Sequence, residues 1–209
     1  NKGGETMTEN QDTIESLLLA VKENELSITE AKDKLSHYDE LGFAKIDLHR
    51  TKRQGFPEVI FGEGKTVTQL DEIVHTLIKH NEVILITRID QIKAENVIAK
   101  YPQLEYHETA RIVCTPVNTI NKTEHFAAII CAGTSDLPVA EEAAITAEVM
   151  GISVQRFYDV GVSGIHRLFA HIENIRQSKV SVVIAGMEGA LSSVVAGLVD
   201  HPVFSIPTS

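Results

Sequence analysis

FAAIICAGTSDLPVAEEAAITAEVMGISVQRFYDV, residues 126–160, decides how the rest of the chain is read. FAAIICAG (126–133) is a continuous apolar run closed by glycine, the kind formed by strands covered on both faces. Pro138 to Met150 reads as a helix, with the proline near the first turn, where its missing N–H costs little. ISVQRFYDV (152–160) is the next strand. The alternation then continues. Ile165, Leu168, Phe169, Ile172 and Ile175 stripe a helix, VSVVIAG (180–186) is a strand, Leu191 to Val199 a helix and PVFSIP (202–207) a last strand. Parallel strands require crossovers, so this pattern predicts an α/β fold with a doubly wound parallel sheet.

The region upstream is less regular. Ile14, Leu17, Leu18 and Val21 make one helical stripe, and Ser27 to Glu30 is a capping-box pattern opening a second short helix. PEVIF (57–61), EVILITR (82–88) and TARIVCTP (109–116) read as strands, separated by helical spacing over Val67 to His80 and 89–101. VNTINKTEH (117–125) is polar and turn-rich, like a linker. The expected organisation is a small α/β N-terminal domain over 7–120 and a second domain over 121–209, with NKGGET (1–6) before Met7 a cloning remnant.

Bulk properties exclude several classes. A formal net charge of −10 argues against a nucleic-acid binder, which needs a basic face. Two cysteines, Cys114 and Cys131, are too few for a disulfide framework or a tetrahedral metal site. Both lie in apolar strand patterns and read as small buried hydrophobes with raised pKa. No stretch approaches the roughly 18 apolar residues of a membrane span, and no secretory leader is visible, so the cytoplasm is expected. FGEGKT (61–66) is not a phosphate loop, because Val59 stands where the first glycine is needed. Among the histidines there is no HExxH pair, and His166 and His171 fall on different helix faces. Lys45, His49, Arg50, Lys52 and Arg53 form a basic cluster in 41–66, either a solvated surface segment or a lid over an anionic ligand.

In such sheets ligands bind beyond the carboxyl ends of the strands, here AGTSD (132–136), DVGVSGIHR (159–167), AGMEGA (185–190) and IPTS (206–209). Gly133, Thr134, Ser135 and Asp136 offer N–H groups, two hydroxyls and a carboxylate, although Ser135 or Asp136 could simply cap the next helix. Arg167 can grip an anion and His166 can titrate near neutral pH, against the plainer reading of a histidine at a helix start. Glu188 is the odd residue. It stands where a strand–glycine–helix turn would otherwise cradle phosphate, and either steadies the helix dipole or meets a ligand.

CAGTSDLP (131–138), GIHRLF (164–169), IAGMEGA (184–190) and PVFSIPTS (202–209) resemble, in order, four motifs of the PurE-type phosphoribosylaminoimidazole carboxylase fold, a flavodoxin-like sheet. Two positions differ: Gly164 stands at that family's serine, and Glu188 at its glycine. With LGFAKIDLHR and GFPEVIFGEGKT added, the chain from about residue 12 resembles the LarB family of nickel-pincer nucleotide cofactor biosynthesis. That resemblance implies a carboxylase and hydrolase. Nicotinic acid adenine dinucleotide would be carboxylated at C5 of its pyridinium ring and its phosphoanhydride cleaved, giving AMP and pyridinium-3,5-biscarboxylic acid mononucleotide. CO2 is the implied co-substrate, Mg2+ the implied metal, and a homo-octamer the implied assembly, with no tightly bound organic cofactor.

The implied catalytic residues are Asp136, His166, Arg167 and Glu188. The implied substrate contacts are Gly133, Thr134, Ser135, Asp159, Gly161, Gly164, Gly186, Met187, Gly189, Ala190, Pro207, Thr208 and Ser209. Glu188 could act as base, stabilise the ring cation or help hold Mg2+. The family's cysteine nucleophile lies C-terminal to the PTS motif, beyond Ser209, so a chain stopping at Ser209 is expected to be inactive. Two other readings stay open: an aminoimidazole ribonucleotide carboxylase or mutase with His166 as proton shuttle, and a catalytically silent nucleotide-binding module.

Overall fold

Contacts within the computed structural model divide the chain into two units, Asn1–His49 and Arg50–Ser209. Residues 14–28, 31, 38–40, 45–47, 50 and 55–208 are described. In the first unit the expected apolar stripe forms helix α1 (Ile14–Lys22), and strands β1 (Tyr38–Glu40) and β2 (Lys45–Asp47) pair antiparallel. Thr29 and Glu30 of the capping-box segment, and His49, Lys52 and Arg53 of the basic cluster, fall outside the described residues.

The second unit opens with β3 (Val59–Phe61), helix α2 (Val67–Lys79), β4 (Leu85–Thr87), helix α3 (Gln91–Lys100), β5 (Glu105–His107) and β6 (Ile112–Cys114). These strands form one sheet in the order β3-β4-β6-β5. It is mixed: β3 and β4 are parallel, while β6 runs antiparallel to both neighbours. FGEGKT is a turn into α2. Thr66 Oγ1 accepts from the Gln69 N–H at 3.2 Å and Gln69 Oε1 accepts from the Thr66 N–H at 3.0 Å, a reciprocal cap. Gly62 permits the close approach of β4, since a Cβ there would lie 3.0 Å from the Ile86 side chain and 3.1 Å from the Thr87 carbonyl oxygen.

Then come β7 (Phe126–Cys131), α4 (Leu137–Val149), β8 (Ser153–Phe157), α5 (Ile165–Ile175), β9 (Val180–Ala185), α6 (Ala190–Ala196) and β10 (Val203–Pro207). All four strands are parallel, in the order β10-β9-β7-β8. The doubly wound α/β fold is thus present. Counted from β7 the order is 2-1-3-4, the flavodoxin-like arrangement, with its switch point between β7 and β9. Among the described residues no helix is long and apolar enough to cross a membrane.

Alternation along the strands feeds both faces, because successive side chains point opposite ways. Ala128 and Ile130 of β7 pack with Leu168 and Ile175 of α5 and Leu191 and Val195 of α6. Ile129 and Cys131 pack on the other side with Ala140 and Ala144 of α4. Helix α4 is apolar in two directions. Its Ile145 and Val149 pack against Leu85, Ile112 and Cys114 of the mixed sheet, so one helix serves two cores. The polar stretch expected to link two domains near residue 120 therefore runs between two sheets that share this helix.

Two buried polar groups sit within this frame. At the amino end of β9, His201 Nε2 lies 2.8 Å from Ser181 Oγ and 3.1 Å from Ser178 Oγ. Both serines are buried at the end of the sheet opposite the strand-end residues, so they lock the strand and offer no nucleophile. On α4, Glu148 is buried and takes both guanidinium arms of Arg156, at 3.2 and 2.8 Å, with Lys122 at 3.3 Å. Burial acts to raise the Glu148 carboxyl, but the bonds from Arg156 and the nearby charge of Lys122 outweigh it and hold it below the usual range.

A depressed carboxyl stabilises the fold fully above its unfolded pKa and loses that contribution as pH falls through its folded pKa. Arg156→Leu, which leaves Glu148 buried with Lys122 alone, is expected to cost about 2 kcal/mol at neutral pH. The loss should shrink in acid, as denaturant titrations at several pH values would read; a cost unchanged with pH would contradict the pairing.

Candidate functional site

Backbone bonds bring the strand ends together. The Ala132 N–H donates to the Ile184 carbonyl at 3.0 Å, and the Gly161 N–H donates to the Ala132 carbonyl at 2.9 Å. Residues 134–136 form one 3-10 turn before α4, which leaves Thr134 and Ser135 exposed and turns Asp136 inward. Asp136 is 7% exposed. Its Oδ2 accepts from the Gly133 N–H at 3.0 Å, and its Oδ1 accepts from the Thr208 hydroxyl at 2.5 Å. Thr208 is held in turn by its N–H, which donates to the Ala185 carbonyl at 3.1 Å.

This bond crosses the end of β9, since β9 lies between β7 and β10. Gly186 is what leaves room. A Cβ there would come within 3.1 Å of Thr208 Oγ1 and 3.9 Å of Asp136 Oδ1. Asp136 thus acts as a brace joining the first and last strands of the sheet as well as a candidate catalytic residue. Pro207, exposed at the end of β10, pairs with Ala185, while Ser209 lies outside the described residues.

A second group surrounds the start of α5. Arg167 forms an ion pair with Asp159, whose backbone is left-handed at φ 57°. The guanidinium lies against Gly164, where a Cβ would stand 2.8 Å from Nε and 3.0 Å from one terminal nitrogen. A side chain at this position would require the guanidinium, the far end of a flexible side chain, to shift. Gly161 is equally close, with its would-be Cβ 2.8 Å from the Ala132 carbonyl oxygen, and here the neighbour is backbone. His166, the second residue of α5, is exposed.

The third element is the turn after β9. Met187 at φ 53° and Gly189 at φ 67° are both left-handed, and the Gly189 N–H closes the turn on the Gly186 carbonyl at 3.0 Å. This reversal leaves Met187 almost fully exposed and Glu188 exposed beside it, ahead of Ala190, the first residue of α6. Helix α6 has only seven residues, so the turn and not a long helix dipole defines this corner. The structure sets Gly133, Asp136, Gly186 and Thr208 in one cluster and Asp159, Gly161, Gly164 and Arg167 in another. The Ala132 carbonyl joins them.

Neither cysteine belongs to this surface. Burial pushes the Cys114 thiol up to about 12, and burial together with the Asp136 charge raises Cys131. Among the described residues no group of three or more His, Cys, Asp or Glu side chains is placed to hold a metal ion. The sequence patterns also passed over a cavity of about 410 Å3 beside the strand ends, lined by residues 107–110, Leu137, Glu141 and Tyr158. These come from a turn, a helix start and a strand end far apart in sequence, and no linear spacing connects them. Tyr158, directly before Asp159, was the one available signal.

Comparison with known proteins agrees with this architecture. Residues 38–117 match the LarB/PurE-like N-terminal domain family, and residues 127–209 match the AIR carboxylase family. An uncharacterized protein of Methanocaldococcus jannaschii is 38% identical over 207 residues, covering 94% of this chain and 81% of the relative.

Close approach at Gly161 gives a direct check of the strand-end geometry. Gly161→Ala sets a methyl against a backbone carbonyl that cannot rotate away, and is expected to cost about 1–3 kcal/mol in a denaturant titration. Gly64→Ala, where nothing lies within 4 Å, serves as the control and should cost far less.

Proposed function

Since the chain belongs to the LarB family, with an AIR carboxylase domain after a LarB/PurE-like N-terminal domain, we propose that it converts nicotinic acid adenine dinucleotide, CO2 and water to pyridinium-3,5-biscarboxylic acid mononucleotide and AMP. The two matched domains are those of a carboxylase family. The observation that carries the dinucleotide reading is Glu188, an exposed carboxylate in a left-handed turn at the carboxyl end of β9. A cationic ring has reason to meet a carboxylate there; a phosphate does not.

A pyridinium carbon is a poor nucleophile until a thiolate adds to the ring and makes it an enamine. The enamine carbon then attacks CO2, a base takes the ring proton, and expulsion of the thiolate restores the aromatic cation. Glu188 is assigned the proton. The thiolate is assigned to the family's cysteine beyond Ser209, in keeping with the burial and raised pKa of Cys114 and Cys131. Asp136, braced by Gly133 and Thr208, fixes the floor of the crevice, and Asp159 holds Arg167 at its side.

Mg2+ would be held chiefly by the substrate's diphosphate, since among the described residues no group of three or more His, Cys, Asp or Glu side chains is placed to hold it. Assembly as a homo-octamer belongs to the same reading, with exposed Phe169, Met187 and Phe204 available to neighbouring copies. The purine alternative fits less well. Its family has a glycine where the exposed carboxylate of Glu188 stands.

The test uses the protein extended past Ser209 through the family's cysteine. Incubation with nicotinic acid adenine dinucleotide, bicarbonate and Mg2+ should release AMP and a dicarboxylated pyridinium mononucleotide, both read by mass spectrometry. Glu188→Gln should abolish the carboxylated product while dinucleotide affinity stays within about twofold. Unchanged turnover in that variant would remove Glu188 from the chemistry, and carboxylation of aminoimidazole ribonucleotide instead would favour the purine reaction.

A further inference from the structure

The geometry points to a nucleoside subsite in the cavity beside the strand ends: we propose that it receives the adenosine half of the dinucleotide and leaves the diphosphate outside. This rests on the dinucleotide reading given above and adds where the non-reacting half binds.

Position comes first. Leu137 follows the braced Asp136, and Tyr158 precedes Asp159, so two walls of the cavity are one residue away from the strand-end clusters. A dinucleotide whose ring reaches Glu188 has its other half to place, and this cavity adjoins the same edge of the sheet. Its volume of about 410 Å3 lies within the range of small-molecule sites.

Unmet hydrogen-bonding capacity is the second observation. Tyr158 Oη and His107 Nε2 are enclosed, and neither completes a hydrogen bond among the described residues, with Glu105 Oε2 standing 3.6 Å from His107 Nε2. Burial pushes the Tyr158 phenol well above its usual range, and the Glu141 carboxylate adds to the shift, so Oη keeps its proton at neutral pH. Yet Glu141 bonds Arg156 through both oxygens at 3.2 Å and completes no hydrogen bond to the phenol. An enclosed polar group left this way is costly, and a bound base with ring nitrogens supplies what it lacks.

Charge narrows the ligand. Glu108 and Glu141 place carboxylates in the lining, Glu141 bonded by Arg156, and no lysine or arginine is among the lining residues, so a neutral nucleoside is favoured over a phosphate. The exposed Glu108 carboxylate can accept from a ribose diol or an exocyclic amine. Leu137, Ala110 and the Tyr158 ring give the apolar surface a base requires.

The test titrates the full chain by calorimetry with adenosine, nicotinic acid mononucleotide and the intact dinucleotide. Thr109→Trp, at an exposed lining position, fills the cavity; Tyr158→Phe removes only the phenolic donor. Thr109→Trp is expected to weaken adenosine and the dinucleotide by about tenfold or more, and Tyr158→Phe by about threefold to tenfold. The mononucleotide should bind both variants as it binds the unaltered chain, which also reports that they are folded. Absence of adenosine binding, or adenosine and dinucleotide affinities untouched by both variants, overturns the subsite. Adenosine binding that Thr109→Trp abolishes, in a chain that ignores the dinucleotide and the mononucleotide, upholds the subsite and overturns the dinucleotide reading.

Discussion

Helix α4 is the constraint on which the second unit depends. One stripe, Ala140 and Ala144, lies on the parallel sheet, and another, Ile145 and Val149, lies on the mixed sheet. Alanines let the helix approach the strands closely; larger side chains on the opposite side reach across to Leu85 and Ile112. A helix flanked this way has little freedom to slide. Its first residues, which carry Asp136 and Leu137 to the strand ends, are therefore fixed by two cores at once. The Glu148–Arg156 pair tightens this by tying the last turns of the helix to β8.

Rigidity of the support suits the chemistry assigned to the crevice. Carboxylation at a ring carbon asks for a fixed angle between ring, CO2 and base, since misplacement by an ångström is costly. Asp136 is braced on both oxygens, and Arg167 is held by Asp159. Glu188 differs from both. It sits in an exposed turn with left-handed residues on either side, so its direction is set by backbone conformation.

Much of this was legible in the chain. The apolar runs at 126–133 and 180–186 are long enough to identify strands covered on both faces, and the helices between them allow only parallel pairing. The strand-end motifs located the site for the same reason. Strand β5 was missed because EYH (105–107) is short, polar and half-buried, with no period to detect. The mixed direction of its sheet was also hidden, since apolar content says nothing of strand polarity. Nor could the sequence say that Gly164 accommodates a guanidinium, or that Gly186 lies under a bond between residues 136 and 208. Both depend on which strands become neighbours.

The bond between Thr208 and Asp136 spans 72 positions of sequence and crosses the strand between them. It has consequences for the order of folding. Strands β7 and β8 and helix α4 can associate through contacts close in the chain, but the brace cannot close until β9 has docked and β10 has been added to its edge. Contacts of such long separation form late, because the loop they close must be ordered first. During synthesis the crevice would therefore stay open until residue 208 had left the ribosome, and a nascent chain short of that point would hold most of its core without a finished binding surface.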